Sequence, residues 1–179
     1  MTAPVFVDTN ILVYWRDSSE VAKQARALEW LDTLWRERRG RTSTQVLAEY
    51  YSAVTRKPKI RMSAEDAWRD VQALVSWNPC SVTVDLLNRA RAIEHKYRLS
   101  WWDCQIVAAA QTQGCSLLLT EDLQDGANYD NVVARNPFVL GVSEEHMAYA
   151  PAPKSTSRYR GRGRPRTRPP RSVATGRLP

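Results

Sequence analysis

Two short runs of consecutive apolar residues constrain the fold of this chain more than any other feature. Residues 4–8 read PVFVD and residues 116–120 read SLLLT. Both are too short for a helix and show no polar alternation, which is the pattern of strands buried on both faces of a sheet. CSVTV (80–84) reads as a further strand, and NVV (131–133) as a fourth before Asn136-Pro137-Phe138. Helical segments separate them. One runs from about Ser19 to Arg39, with apolar positions Val21, Ala25, Leu28, Leu31 and Leu34 near helical spacing and Gly40 as its stop. A second is capped by Thr44, passes through Val46, Leu47, Tyr50, Tyr51 and Val54, and ends at Pro58. Ser63-Ala64-Glu65-Asp66 is a capping-box pattern opening a third helix through Trp77. After an Asn78-Pro79 turn and the 80–84 strand, Asp85 caps a helix to about Arg98, and Ser100 caps another that Gly114 stops. Strands alternating with helices predict an α/β fold with a central parallel sheet flanked by helices on both faces.

Four carboxylates stand where this pattern does not expect acids: Asp8 at the end of the first strand, Glu49 within TQVLAEYY, Asp103 within LSWWDCQIVAAA, and Asp122 just past SLLLT. In open parallel sheets, ligands bind beyond the carboxyl ends of the strands. Strand ends and the first turns of following helices point to that same rim, so all four acids are expected to reach it. Each has a plainer reading. Asp8 caps a turn, Asp103 completes a capping box with Ser100, Glu49 is a solvated helix residue, and Asp122 is a turn residue. Jointly they favour a hard, oxygen-rich pocket, because gathered carboxylates repel one another unless a cation neutralises them. Mg2+ suits such a pocket, with Mn2+ as the alternative. No Ser-His-Asp or Cys-His arrangement is evident, which turns the expectation away from covalent catalysis.

The formal net charge of +7 is unevenly distributed. Residues 151–179 hold nine basic residues and no acid, so the preceding 150 hold 17 basic against 19 acidic residues, a net −2. From Ala150 the composition turns to Pro, Gly and Arg, which cannot bury a core. The expected organisation is a folded domain over 1–148 and a disordered basic tail over 149–179. Arginines in such a tail can neutralise RNA phosphates without sequence preference, and the alternative is a disordered extension with no selected role. Cys80, Cys104 and Cys115 form no CxxC, so reduced thiols and a cytoplasmic location are expected. No signal peptide and no apolar stretch of membrane-spanning length is visible.

DTN at the end of the first strand, then QVLAE in a helix, SWWD opening a later helix, and a strand running into TED resemble the PIN-domain ribonucleases. More narrowly they resemble VapC-type toxins of bacterial toxin–antitoxin pairs. The resemblance extends from about residue 4 to 142 and leaves the basic tail outside. It implies a three-layer α/β/α fold and Mg2+-dependent endonucleolytic cleavage of RNA. It assigns the four family acids to Asp8, Glu49, Asp103 and Asp122, with Asp8, Asp103 and Asp122 as metal ligands. Asn10 and Thr120 match supporting positions. Glu121 then points away or acts in the outer sphere, and Asp125 is a loop acid, with a secondary contribution to the site as the alternative. A VapB-like antitoxin and a homodimer are also implied. The competing expectation is a catalytically inactive PIN-like module that binds RNA or protein. A haloacid-dehalogenase-like phosphatase is disfavoured, since DTN supplies no DxD.

Among the tryptophans, Trp30, Trp35, Trp68 and Trp77 read as core or interface, while Trp101 or Trp102 is placed to line the mouth of the acidic site. Arg16, Arg56, Lys57, Lys59 and Arg61 form a cationic set able to meet phosphates or solvent.

Overall fold

The computed structural model describes residues 3–139. The boundary near 148 and the arginine-rich segment lie outside the described residues. In chain order the elements are β1 (Val5–Val7), α1 (Thr9–Arg16), α2 (Val21–Arg36), β2 (Gly40–Arg41), α3 (Thr44–Arg56), α4 (Ala64–Leu74), α5 (Val84–Tyr97), α6 (Trp101–Thr112), β3 (Leu117–Leu119), β4 (Asn128–Tyr129) and β5 (Val132–Arg135). A 3-10 turn over Val75–Trp77 continues α4. The sheet order is β2-β1-β3-β5-β4. All pairings are parallel except β4 with β5, a hairpin that ends the sheet.

The two apolar runs become the central strands. Val5, Val7 and Leu117–Leu119 are all buried, and Val7 pairs with Leu119. Chain leaving β1 travels to β2 on one side, and chain leaving β3 travels to β5 on the other. The carboxyl ends of β1 and β3 therefore flank the point where the winding reverses, which leaves a crevice there. Helix α1 packs against both α2 and α3, and α3 against α4, while α5 and α6 pair together, with α6 against β3 and β5.

Several local expectations change. Residues 80–84 are no strand. Cys80 makes a single parallel bridge to Ser43, and the chain then leaves the sheet. Thr83 accepts a hydrogen bond from the Leu86 amide at 3.3 Å and so caps α5, which draws Val84 into the helix. Asp85 sits in the first turn of α5 rather than at its cap, where it still favours the helix dipole. Helix α1 has no counterpart in the sequence reading. Ile11, Leu12 and Val13 are buried in succession, so the helix carries no amphipathic stripe to reveal it.

The buried stripe of α2 is Ala27, Trp30, Leu31 and Leu34, while Val21 and Leu28 are exposed. Its end is marked by Arg38 in the left-handed region at φ 56°, not by Gly40. Gly40 instead pairs with Val5 in β2, directly under the Trp77 ring. A Cβ built there would lie 2.4 Å from the indole. Gly40→Ala is therefore expected to cost about 1–3 kcal/mol through overpacking. The check is a lower midpoint of denaturant unfolding at unchanged slope; an unchanged midpoint would show that Trp77 moves freely.

Trp30 and Trp77 are core residues as expected, whereas Trp35 and Trp68 are exposed on their helices. Arg16 faces inward: its Nε donates to Asp70 Oδ2 at 2.8 Å, and its second nitrogen closes a two-point pair with the same carboxylate.

Candidate active site

The strand register builds the site. The Asp8 amide donates to Leu119 O at 3.0 Å and the Thr120 amide to Arg135 O at 3.0 Å, so the ladder carries both residues to the sheet rim. There Thr120 Oγ1 donates to Asp8 Oδ2 at 2.7 Å. Asp8 Oδ1 accepts from the Thr9 amide at 2.6 Å, capping α1, so the plainer role considered for this residue is real as well. Asn10, in the first turn of α1, spans the crevice. Its Nδ2 donates to Asp122 Oδ2 at 2.9 Å and lies 3.2 Å from both Asp8 Oδ2 and Thr120 Oγ1. The Asp122 amide closes the loop by donating to Thr120 Oγ1 at 3.2 Å. Asp8, Asn10, Thr120 and Asp122 thus form one network across β1 and β3.

Glu49 arrives from the first half of α3. Its Oε2 accepts from Thr9 Oγ1 at 2.8 Å, and its Oε1 from Gln45 Nε2 at 2.9 Å, one turn earlier on the same helix. Asp103 enters from the first turn of α6, with Oδ2 accepting from Ser100 Oγ at 2.7 Å. All four acids line one cleft of about 380 Å3, together with Thr9, Asn10, Tyr14, Gln45, Lys57, Trp102 and Glu121, over an apolar lining of Val13, Ala53 and Ile106.

Glu121 lines the cleft rather than pointing away. Its charge is committed to Lys23, whose ammonium lies 2.6 Å from Glu121 Oε2 and 2.8 Å from the Tyr14 hydroxyl. Asp125 is a loop acid that accepts from the Asn136 amide at 2.9 Å. The sequence reading missed Thr9 and Gln45 as the groups that orient Glu49. The available signal was spacing, since Thr9 follows Asp8 and Gln45 precedes Glu49 by one helical turn.

Burial dominates the electrostatics of Asp8. Desolvation pushes its pKa to about 7, the Thr120 and Thr9 hydrogen bonds oppose the shift, and the charges of Asp122 and Glu49 reinforce it. A buried acid held neutral among other acids is the signature of negative charge lacking a counterion. The donor set is also one that a hard divalent cation takes, all oxygen and no thiolate or imidazole. Asn10 Oδ1 is buried beside these carboxylates without a hydrogen-bond partner among the described residues, leaving a further oxygen free to accept. Among the described residues no three such side chains yet stand at mutual metal-binding spacing. The reason is local: Asp103 is turned onto Ser100, and Glu49 is held by Thr9 and Gln45. The residues fit a cation in chemistry, and for Asp103 to hold one it would exchange its neutral hydrogen bond from Ser100 for the ion.

With this geometry in place, comparison with known proteins is decisive for the family. The model of the PIN domain matches residues 5–124, which spans β1 through the loop after β3 and includes all four acids. The chain belongs to the PIN-domain family. Among solved structures, a toxin–antitoxin complex from Klebsiella pneumoniae is similar at 22% identity and a TM-score of 0.54, covering 75% of this chain and 98% of that one. VapC20 of Mycobacterium tuberculosis, a toxin that cleaves the sarcin–ricin loop, is similar at 20% identity and a TM-score of 0.50, covering 66% and 89% respectively. At these identities the likeness is one of fold. No curated protein matches the chain. Among the described residues of this PIN domain, no helix is long and apolar enough to cross a membrane.

Proposed function

We propose that this PIN-domain protein is a divalent-metal-dependent endoribonuclease, with Mg2+ as the working ion and Mn2+ as a substitute, and that it is the toxin of a toxin–antitoxin pair. The observation that carries the nuclease reading is the convergence of Asp8, Glu49, Asp103 and Asp122 on one cleft at the β1–β3 crevice, where Asp8 is too buried to ionise readily. In this reading Asp8, Asp103 and Asp122 hold the ion and Glu49 completes the acidic set. Asn10 and Thr120 fix the Asp8 and Asp122 carboxylates from behind through their hydrogen bonds. A cation bound there supplies charge neutralisation at a phosphate and activation of a water for hydrolysis. The remaining work is positional. Thr9 and Gln45 hold Glu49 toward the cleft, and among the described residues Lys57 is the one basic side chain lining it.

The toxin role rests on the sequence resemblance to VapC-type proteins and on fold neighbours described as toxins. An RNA substrate, a VapB-like antitoxin covering the acidic cleft, and a homodimer accompany that reading. Free Cys80, Cys104 and Cys115 suit a reducing cytoplasm. Incubation of the full chain with total RNA tests the nuclease reading directly. Discrete cleavage is expected with Mg2+ present and none with excess chelator. RNA that is bound but never cut, with Mg2+ or Mn2+, would instead identify an inactive binding module.

A further inference from the structure

Trp102 stands out among the side chains that line the cleft. It is 63% exposed, although an indole is a costly group to leave in water. It lies in the first turn of α6 next to Asp103, and both line the cleft with Ile106 one turn further on. Its neighbour Trp101 packs against the core, so the two adjacent indoles divide their tasks. Among the described residues, Trp102 has no aromatic or cationic side chain stacked on it. The other exposed tryptophan faces are unlike this one. Trp35 leans on Trp77 and Trp68 on Tyr51, and neither lines the cleft.

From this placement we infer that Trp102 is a substrate-binding residue whose indole stacks on an unpaired nucleobase beside the scissile phosphate. This inference rests on the ribonuclease reading and names how that site grips its substrate. The cleft supplies what a nucleotide needs at three points. The carboxylates would hold a cation that neutralises the phosphate, Lys57 is placed for a neighbouring phosphate, and the indole offers a π-face to the base. Every base has a π-face, so this contact selects single-stranded RNA over duplex without reading sequence. Cleavage is therefore expected in loops and unpaired segments, where a base can leave its stack. A duplex of the same sequence should resist.

The test uses the full chain, a fluorescein-labelled single-stranded RNA of about eight nucleotides, and Ca2+ in place of Mg2+, so that the cleft's charge stays neutralised while cutting is suppressed and affinity is read by anisotropy. Trp102→Ala is expected to weaken binding ~5- to 100-fold, as loss of one stacked base implies. Trp102→Phe should recover most of the affinity, because a phenyl ring also stacks. Trp68→Ala, which removes an exposed indole away from the cleft, should bind like the wild type. With Mg2+ restored, Trp102→Ala should cut the single strand more slowly at low RNA concentration, and the gap should narrow as RNA saturates. Equal affinity and equal cleavage in Trp102→Ala and wild type would overturn the stacking role alone, and would mark the exposed indole as a contact for a protein partner. A wild-type chain that neither binds nor cuts the RNA would overturn the nuclease reading and this inference together.

Discussion

Asp8→Asn is expected to abolish RNA cleavage while raising the stability of the metal-free protein above neutral pH. The two effects share one cause. Asp8 is buried, and its pKa of about 7 lies some three units above that of an unfolded aspartate. Below about pH 4 both states are protonated and the group contributes no difference. As pH rises toward 7 the unfolded chain releases its proton first, so the folded state loses stability throughout that interval and levels off above it. Three units correspond to about 4 kcal/mol as an upper bound. Asparagine never ionises, so this pH-dependent loss should vanish in the variant. The amide oxygen still accepts from the Thr9 amide, the new amide NH2 can donate to Thr120 Oγ1, and Asn10 Nδ2 loses its acceptor on residue 8 but keeps Asp122. Thermal melts of both proteins from pH 5 to pH 8 in chelator measure the effect, and the gap should widen with pH. Mg2+ should close the gap at pH 8 by stabilising the wild type alone. Full activity of Asp8→Asn in Mg2+, or parallel melting curves across the pH range, would remove Asp8 from the proposed centre.

Asp70→Ala is expected to be strongly destabilising although it lies outside the cleft. Asp70 is buried on α4 and accepts from the Tyr50 hydroxyl at 2.6 Å, while Arg16 grips both of its oxygens. Tyr50 is fully buried, and burial followed by the Asp70 hydrogen bond raises its pKa above the ordinary tyrosine range. Removing the carboxylate leaves a phenol without its partner and a guanidinium facing a void. Arg16 is about a third exposed, so water recovers part of the loss. About 3 kcal/mol is the expected cost. For a domain of this size that lowers the melting temperature by roughly 10 °C. Asp70→Asn keeps an acceptor for Tyr50 and should lose about 1 kcal/mol, the share due to charge. If the two variants melt together, the network is held by shape and not by the ion pair. The pair joins α1, α3 and α4, so its loss should loosen the helices that carry Asn10 and Glu49 into the site.

The sequence by itself marked the two central strands, because PVFV and LLL are short, apolar without interruption and bounded by polar or turn residues, a pattern that suits a doubly covered strand. It determined α3, α4 and α6 nearly to the residue, since Ser63 and Ser100 cap locally and the Lys57-Pro58 step cannot continue a helix. It also marked the four acids, since each interrupts apolar sequence at a strand end or in an early helical turn. Tertiary structure alone decided the rest. The strand suggested by CSVTV gave way to a Thr83 cap, since Val82 and Val84 find no apolar face to cover and stay exposed. Gly40 serves the Trp77 ring because residues 37 positions apart meet there, a contact no local pattern encodes. Arg16 reads in sequence as a cation for phosphate or solvent, yet the fold brings it to Asp70, 54 positions away. Asp8 and Thr120 are 112 residues apart, and only the β1–β3 register makes them partners and so decides which carboxylate resists ionising. Propensity and capping act over one turn and are legible in the chain, whereas desolvation and counterion supply belong to the assembled site.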